Sequence, residues 1–164
     1  MFELKPSRAA SKPQLYRELL EQAQALLHGE TDRIANAANL AALIWHSLPD
    51  LNWAGFYLYD GKELVVGPFQ GKPACVRIPL GKGVCGTAAQ RRTTVIVTNV
   101  HEFPGHIACD SASNSEIVVP LVHEDRLLGV LDLDSPKLAR FDDDDRHGLE
   151  AIARLWITQG GASP

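Results

Sequence analysis

Cys75, Cys85 and Cys109 are the residues of this chain best suited to covalent chemistry. Three thiols cannot all pair within one chain, so a permanent disulfide framework is not expected. Two readings of them stand open. A free cysteine commonly serves as a small core hydrophobe, whereas an accessible thiolate is a nucleophile. The surroundings of Cys109 favour the second. In His106-Ile107-Ala108-Cys109-Asp110-Ser111-Ala112-Ser113-Asn114-Ser115-Glu116 the residues are mostly small or polar and leave little to bury. Cys109 is therefore expected on a loop or short turn beside the strand that Glu116 opens. Zinc is the rival use of the thiols. Structural zinc sites contain a close C-x₂₋₄-C pair, but nine residues separate Cys75 from Cys85 and twenty-three separate Cys85 from Cys109. Even with His106 added the spacing fits no standard site, and no metal is expected.

Three carboxylates form the second constellation. Asp132 and Asp134 lie two residues apart on an otherwise apolar run, so on a strand they point the same way. Glu116 opens the neighbouring run Ile117-Val118-Val119. A carboxylate against such strands must be hydrogen-bonded, paired with a cation or protonated, because isolated buried charge is costly. Asp134 could cap the turn at Ser135-Pro136 while Asp132 faces water. Alternatively the group forms a negative pocket for a cationic ligand group, such as the α-ammonium of a free amino acid. Gly81-Lys82-Gly83 lacks the phosphate-loop pattern and reads as permissive turn residues.

These side chains need elements to hold them. Leu15, Leu19, Ala23 and Leu26 recur at helical spacing up to His28-Gly29. Asp32 can cap a second helix, whose apolar stripe is Ile34, Ala37, Ala38, Ala41, Ile44, Trp45 and Leu48. The period then changes to two. Residues 53–59 form an aromatic-rich strand, with Trp53, Gly55 and Tyr57 on one face and Ala54, Phe56 and Leu58 on the other. Asp60-Gly61 turns it into a second strand at 64–66. Further strands are expected at 74–79, 94–97, 116–122 and 127–134, with a short helix ending near Gln90. Asp142 can cap a last helix with Leu149, Ile152, Ala153 and Trp156 on one face; the acidic run 142–145 suits that N-terminus. The sum is a mixed α/β (α+β) domain with a central, mostly antiparallel six-stranded sheet. Residues 1–13 are expected to form a flexible N-terminal arm and residues 14–160 a single domain.

Composition narrows the setting. A chain of 164 residues that is 45% hydrophobic supports one soluble globule. A net charge of -4 gives no general attraction to nucleic acid or an anionic membrane. No apolar run reaches the ~20 residues of a membrane span, and residues 1–13 lack the apolar centre of a signal peptide, so a cytoplasmic protein is expected.

Five stretches together resemble one family. They are Asn52-Trp53-Ala54-Gly55-Phe56-Tyr57, Gly67-Pro68-Phe69-Gln70-Gly71-Lys72-Pro73-Ala74-Cys75, Gly81-Lys82-Gly83-Val84-Cys85-Gly86, the 106–116 stretch, and Gly129-Val130-Leu131-Asp132-Leu133-Asp134-Ser135. The chain is similar, from about residue 15 to 157, to the free methionine (R)-sulfoxide reductases, whose fold is a GAF domain. The resemblance implies terminal helices packed on one face of the sheet and pocket-forming loops on the other. It implies a thiol-dependent oxidoreductase that reduces free methionine (R)-sulfoxide without a cofactor. Cys109 would be the nucleophile, Cys75 the main resolving thiol and Cys85 an auxiliary one. Trp53 and Tyr57 would line the pocket, with Glu116, Asp132 and Asp134 binding the ammonium or the sulfoxide side. Glu116 or Asp134 would protonate the oxygen, Cys109 would pass through a sulfenic acid to a disulfide, and thioredoxin would reduce it. A homodimer is the expected assembly. The competing classes are a ligand-sensing GAF module without chemistry and a cysteine-based redox sensor; formation of methionine separates the enzyme from both.

Overall fold

A computed structural model of the chain describes residues 1–160. Helices α1 (Lys12–Leu27) and α2 (Arg33–Ser47) are followed by strands β1 (Trp53–Tyr59), β2 (Glu63–Gly71) and β3 (Arg77–Pro79). Then come α3 (Gly83–Arg91), β4 (Val95–Val97), a 3₁₀ turn (Val100–Glu102), β5 (Ser115–His123), β6 (Arg126–Ser135) and α4 (Asp143–Gln159). The six strands form one sheet in the order β3-β2-β1-β6-β5-β4, and every neighbouring pair is antiparallel. The sheet thus has the expected six-stranded α+β form.

The side-chain alternation of β1 divides the interior in two. Ala54, Phe56 and Leu58 pack with the buried faces of α1, α2 and α4, while Trp53 and Tyr57 pack on the opposite side with α3 and its neighbouring loops. Asp32 caps α2 by accepting from the Ala35 amide. Asp142 caps α4 in a reciprocal capping box with Asp145, which satisfies amides the first turn would leave unpaired.

Several boundaries differ from the sequence expectation. Ser11 caps α1, so Pro13 lies in the first turn, where its missing N–H costs nothing. The buried stripe of α1 is Tyr16, Leu19, Ala23 and Leu27, with Leu15 and Leu26 at its margins. On α2 the buried side chains include Leu40 and Leu43, whereas Ile34 and Ala38 face outward. Strand β2 runs on to Gly71 and β3 shrinks to three residues, because Phe69, Gln70 and Gly71 continue the pairing with β1 past a bulge. Asp145 is more than a cap. It is fully buried and accepts from the Tyr16 hydroxyl at 2.7 Å, Lys12 Nζ at 2.6 Å, Arg140 Nη1 at 3.2 Å and the Asp142 amide at 2.9 Å.

Candidate active site

Sheet register builds one wall of the site. Trp53 on β1 pairs with Asp134 on β6, which pairs with Glu116 on β5. In the next row on the same face, Gly55 pairs with Asp132 and Asp132 with Val118. The three carboxylates and the indole therefore occupy adjacent positions on one side of the sheet. Gly55 opposite Asp132 has a steric cause: a Cβ there would sit 2.3 Å from Phe69 Cβ and 2.8 Å from the Pro68 carbonyl oxygen, at the bulge.

The aromatic side chains fix the loop that follows β2. Trp53 stacks on Phe69 at 5.1 Å and on Tyr57 at 5.7 Å between ring centroids. Trp53 Nε1 donates to the Lys72 carbonyl at 3.2 Å, and the Tyr57 hydroxyl donates to the Cys75 carbonyl at 3.0 Å. Cys75 is bonded to Cys109 in a disulfide with Cα atoms 5.7 Å apart, within the span such bonds require. Cys109 is exposed and Cys75 half-buried, so the bond lies within reach of an external thiol.

The 106–113 loop is tied back to the sheet edge. Asn52 Nδ2 donates to Asp110 Oδ2 at 3.1 Å and to Ser113 Oγ at 2.9 Å, while the Asn52 amide donates to the Asp134 carbonyl. The Ala112 amide and the Asn52 side chain hold the Asp110 carboxyl below its ordinary range. Cys85 enters from the first turn of α3. It is buried, and its thiol donates to Glu116 Oε1 at 3.8 Å.

Burial dominates the electrostatics. Glu116 and Asp132 are each only 5% exposed, and Asp134 keeps part of its surface open to the cavity. Burial pushes the Glu116 carboxyl well above its usual range, and the charges of Asp132 and Asp134 push it further. Burial raises Asp134 as well, followed by Asp132 and Asp110. Asp132 is pushed up to about 6 by burial, with Glu116 and Cys85 pulling the other way. Burial and then the carboxylates also keep Cys85 a thiol at neutral pH. Asp132 Oδ1 is buried without a hydrogen-bond partner, a cost of the order of 1–3 kcal/mol unless a ligand supplies the donor.

Trp53, Tyr57, Cys85, Cys109, Glu116, Asp132 and Asp134 all line one cavity of about 40 Å³. Cys75 borders it between Ala74 and the Cys109 sulfur. The reading of Asp132 as solvent-facing and Asp134 as a turn cap is therefore replaced by a shared cavity wall. Cys85, Glu116 and Asp132 bring ligand atoms within 4.8 Å of one another, but three such ligands fall short of a four-ligand structural zinc site. His106, considered in the sequence only as a metal ligand, also lines the cavity, with Nε2 3.8 Å from Glu116 Oε2. Its place ten residues before Glu116 gave no hint of this contact, which depends on the loop folding back over β5.

The sheet, the helices on one face and the cavity on the other define a GAF domain that carries a redox-active cysteine pair beside its ligand pocket. A GAF domain family model matches residues 15–156. The chain is 53% identical over 146 residues to the free methionine-R-sulfoxide reductase of Escherichia coli strain K12, covering 88% of each chain. Its structure is similar to that of a free methionine-R-sulfoxide reductase from Neisseria meningitidis in complex with its substrate, with a TM-score of 0.93, 47% identity and coverage of 97% and 95% of the two chains. A structure from Burkholderia vietnamiensis described as a GAF sensor protein is 66% identical, with a TM-score of 0.89 and coverage of 92% and 96%. The chain belongs to the free methionine-R-sulfoxide reductase family of GAF-fold proteins.

Proposed function

We propose that the protein reduces free methionine (R)-sulfoxide to methionine, with Cys109 as nucleophile. The observation that carries this reading is the Cys75–Cys109 disulfide at the mouth of a cavity walled by three carboxylates and an indole. Family membership supplies the substrate and the handedness at sulfur.

The electrostatics divide the carboxylates by task. Asp132, raised to about 6, is charged at neutral pH; its unpartnered Oδ1 receives the substrate ammonium. Such a charge-assisted contact contributes roughly 1.5–3 kcal/mol. Glu116, whose protonated form is favoured by burial and by both aspartates, delivers a proton to the sulfoxide oxygen. Asp134, between Trp53 and Glu116 in the same row, completes the polar wall. Trp53 and Tyr57 pack against the methyl and thioether.

The Cys109 thiolate attacks the sulfoxide sulfur and forms a transient S–S bond while Glu116 protonates the oxygen. The S–O bond breaks, the hydroxyl passes to the Cys109 sulfur as the S–S bond breaks, and Cys109 is left as a sulfenic acid. Methionine is released, its sulfur reduced by two electrons and that of Cys109 oxidised by two. The Cys75 thiol then displaces water from the sulfenic acid and forms the disulfide. Cys85, buried against Glu116, is an auxiliary thiol of the same relay. An external dithiol, thioredoxin, restores both thiols by exchange at the exposed disulfide.

Among the described residues no helix is long and apolar enough to cross a membrane. The cytoplasm, where dithiols are kept reduced, is the compartment that suits this cycle. A single working domain over residues 14–160, a flexible arm before it and assembly as a homodimer belong to the same proposal.

The test follows methionine release and dithiol consumption with separated sulfoxide diastereomers, free and peptide-bound. One methionine per disulfide from the free (R) form alone is expected, and Cys109→Ser abolishes it. Disulfide formation without methionine would instead mark a redox sensor.

A further inference from the structure

We propose that His106 is a positioning residue for the acid step: in its Nε2–H tautomer it donates to Glu116 and stabilises the carboxylate left when Glu116 gives up its proton. This rests on the reductase reading above, and the His106–Glu116 juxtaposition carries it.

A buried carboxyl beside two others is a reluctant acid. When Glu116 protonates the sulfoxide oxygen it becomes a second negative charge beside that of Asp132, in a place from which burial excludes water. Of the groups around it, the Cys85 thiol at 3.8 Å from Oε1 is a weak donor. The Asp132 carboxyl adjoins Glu116 as well, and the other oxygen, Oε2, lies 3.8 Å from His106 Nε2, the nearby ring that can donate to it. That gap closes by a small rotation of either side chain, as hydrogen bonds of resting active sites often tighten only with substrate bound.

The loop aims the imidazole at this point. The His106 amide donates to the Phe103 carbonyl at 3.2 Å, which turns the chain in from the 3₁₀ turn. The side chain is then 15% exposed, with Nε2 toward Glu116. Burial, and then the neighbouring His101, hold His106 below the ordinary histidine range, so at neutral pH it is an uncharged donor. A neutral donor does not lock Glu116 into a ground-state ion pair. Its hydrogen bond strengthens only as the carboxylate forms, and interactions stronger in the transition state are those that accelerate a step.

The other charged or titratable groups on the cavity come from every element around the ring. They are Tyr57 of β1, Lys72 after β2, Lys82 and Cys85 at the start of α3, Asp132 and Asp134 of β6, and Asp110 of the same loop. All are unchanged in the comparison below, so a displaced pH profile reports on the His106–Glu116 contact.

The experiment measures single-turnover methionine formation by the reduced full-length protein across pH. His106→Leu is expected to slow it about 10- to 100-fold. Its basic limb moves to higher pH, because Glu116 without its donor is a weaker acid, while KM stays near the wild-type value. His106→Gln, which keeps an N–H donor, recovers most of the rate and the wild-type limb. If the Leu side chain prevents folding, His106→Ala with added imidazole carries the test, and imidazole must restore the rate. A His106→Leu rate within about two-fold of wild type overturns the proposal, as does a loss with no displaced limb and no recovery in His106→Gln. Absence of methionine from the wild-type protein would remove the reductase reading itself; intact turnover after His106→Leu removes only the role of His106.

Discussion

Glu116 and Asp134 stand directly opposite one another across β5 and β6, where a like-charged pair disfavours the strand pairing. Burial favours the protonated form of both, which eases their repulsion and ties the stability of the protein to pH. The folded-state carboxyls of Glu116, Asp132 and Asp134 all lie above their unfolded values. Below about pH 4 both states hold these protons; as pH rises, the unfolded chain releases them first and is favoured. The ligand-free protein is therefore expected to lose stability from about pH 4 upward through neutrality. Asp132 alone, raised to about 6, costs on the order of 3 kcal/mol if fully ionised. Thermal unfolding between pH 5 and 8 measures the slope. Glu116→Gln should flatten it and raise Tm at pH 8 while it removes activity; an unchanged slope would separate the cluster from the pH dependence.

The disulfide assigns different fates to the two partner thiols. Cys75→Ser should leave single-turnover methionine formation near the wild-type rate and reduce steady-state turnover with thioredoxin by at least about ten-fold. Quenched-flow and steady-state assays of one preparation make the comparison. Undiminished recycling in that variant would give Cys85 the leading part.

Asp145 should matter to stability without touching chemistry. Its side chain is fully buried and binds Lys12 and Tyr16 of α1 and Arg140 of the loop before α4. Asp145→Ala leaves Arg140 and Lys12 without their buried anion, and one-sided removal of a buried ion pair costs about 3–5 kcal/mol. Denaturant unfolding should show that loss, with first-turnover activity retained in the folded fraction.

Gly55→Ala probes the bulge beneath the cavity. A methyl group would meet the backbone and Cβ of Phe69 at 2.6 and 2.3 Å, so β2 must move and take the Phe69–Trp53 stack with it. Overpacking of this kind costs about 1–3 kcal/mol. A lower Tm together with a raised KM is expected; normal values of both would show that β2 yields without disturbing Trp53.

Much of this was legible in the residues. The alternation of β1 placed Trp53 and Tyr57 on the cavity side and Ala54 and Phe56 in the other core, as found. The two-residue spacing of Asp132 and Asp134 gave their shared direction, and Asp32 and Asp142 marked the helix starts. What escaped depends on contacts between distant segments. The stripe of α1 is centred one residue from the expected line because Tyr16 is drawn toward Asp145, 129 residues away. The extent of β2 depends on a bulge that no local pattern announces. The Tyr57 anchor on the Cys75 carbonyl and the approach of His106 to Glu116 are likewise products of loop closure.

The apolar interior is split by the sheet into two bodies of side chains that do not share residues. The larger, beneath α1, α2 and α4, can hold the scaffold together while the smaller, on the cavity side, is remodelled. Inheritance of a new ligand or chemistry then requires few compensating changes elsewhere, since alterations around α3 and the 106–113 loop leave the helical half undisturbed. Such a division of labour makes this architecture a tolerant starting point for evolving other pockets.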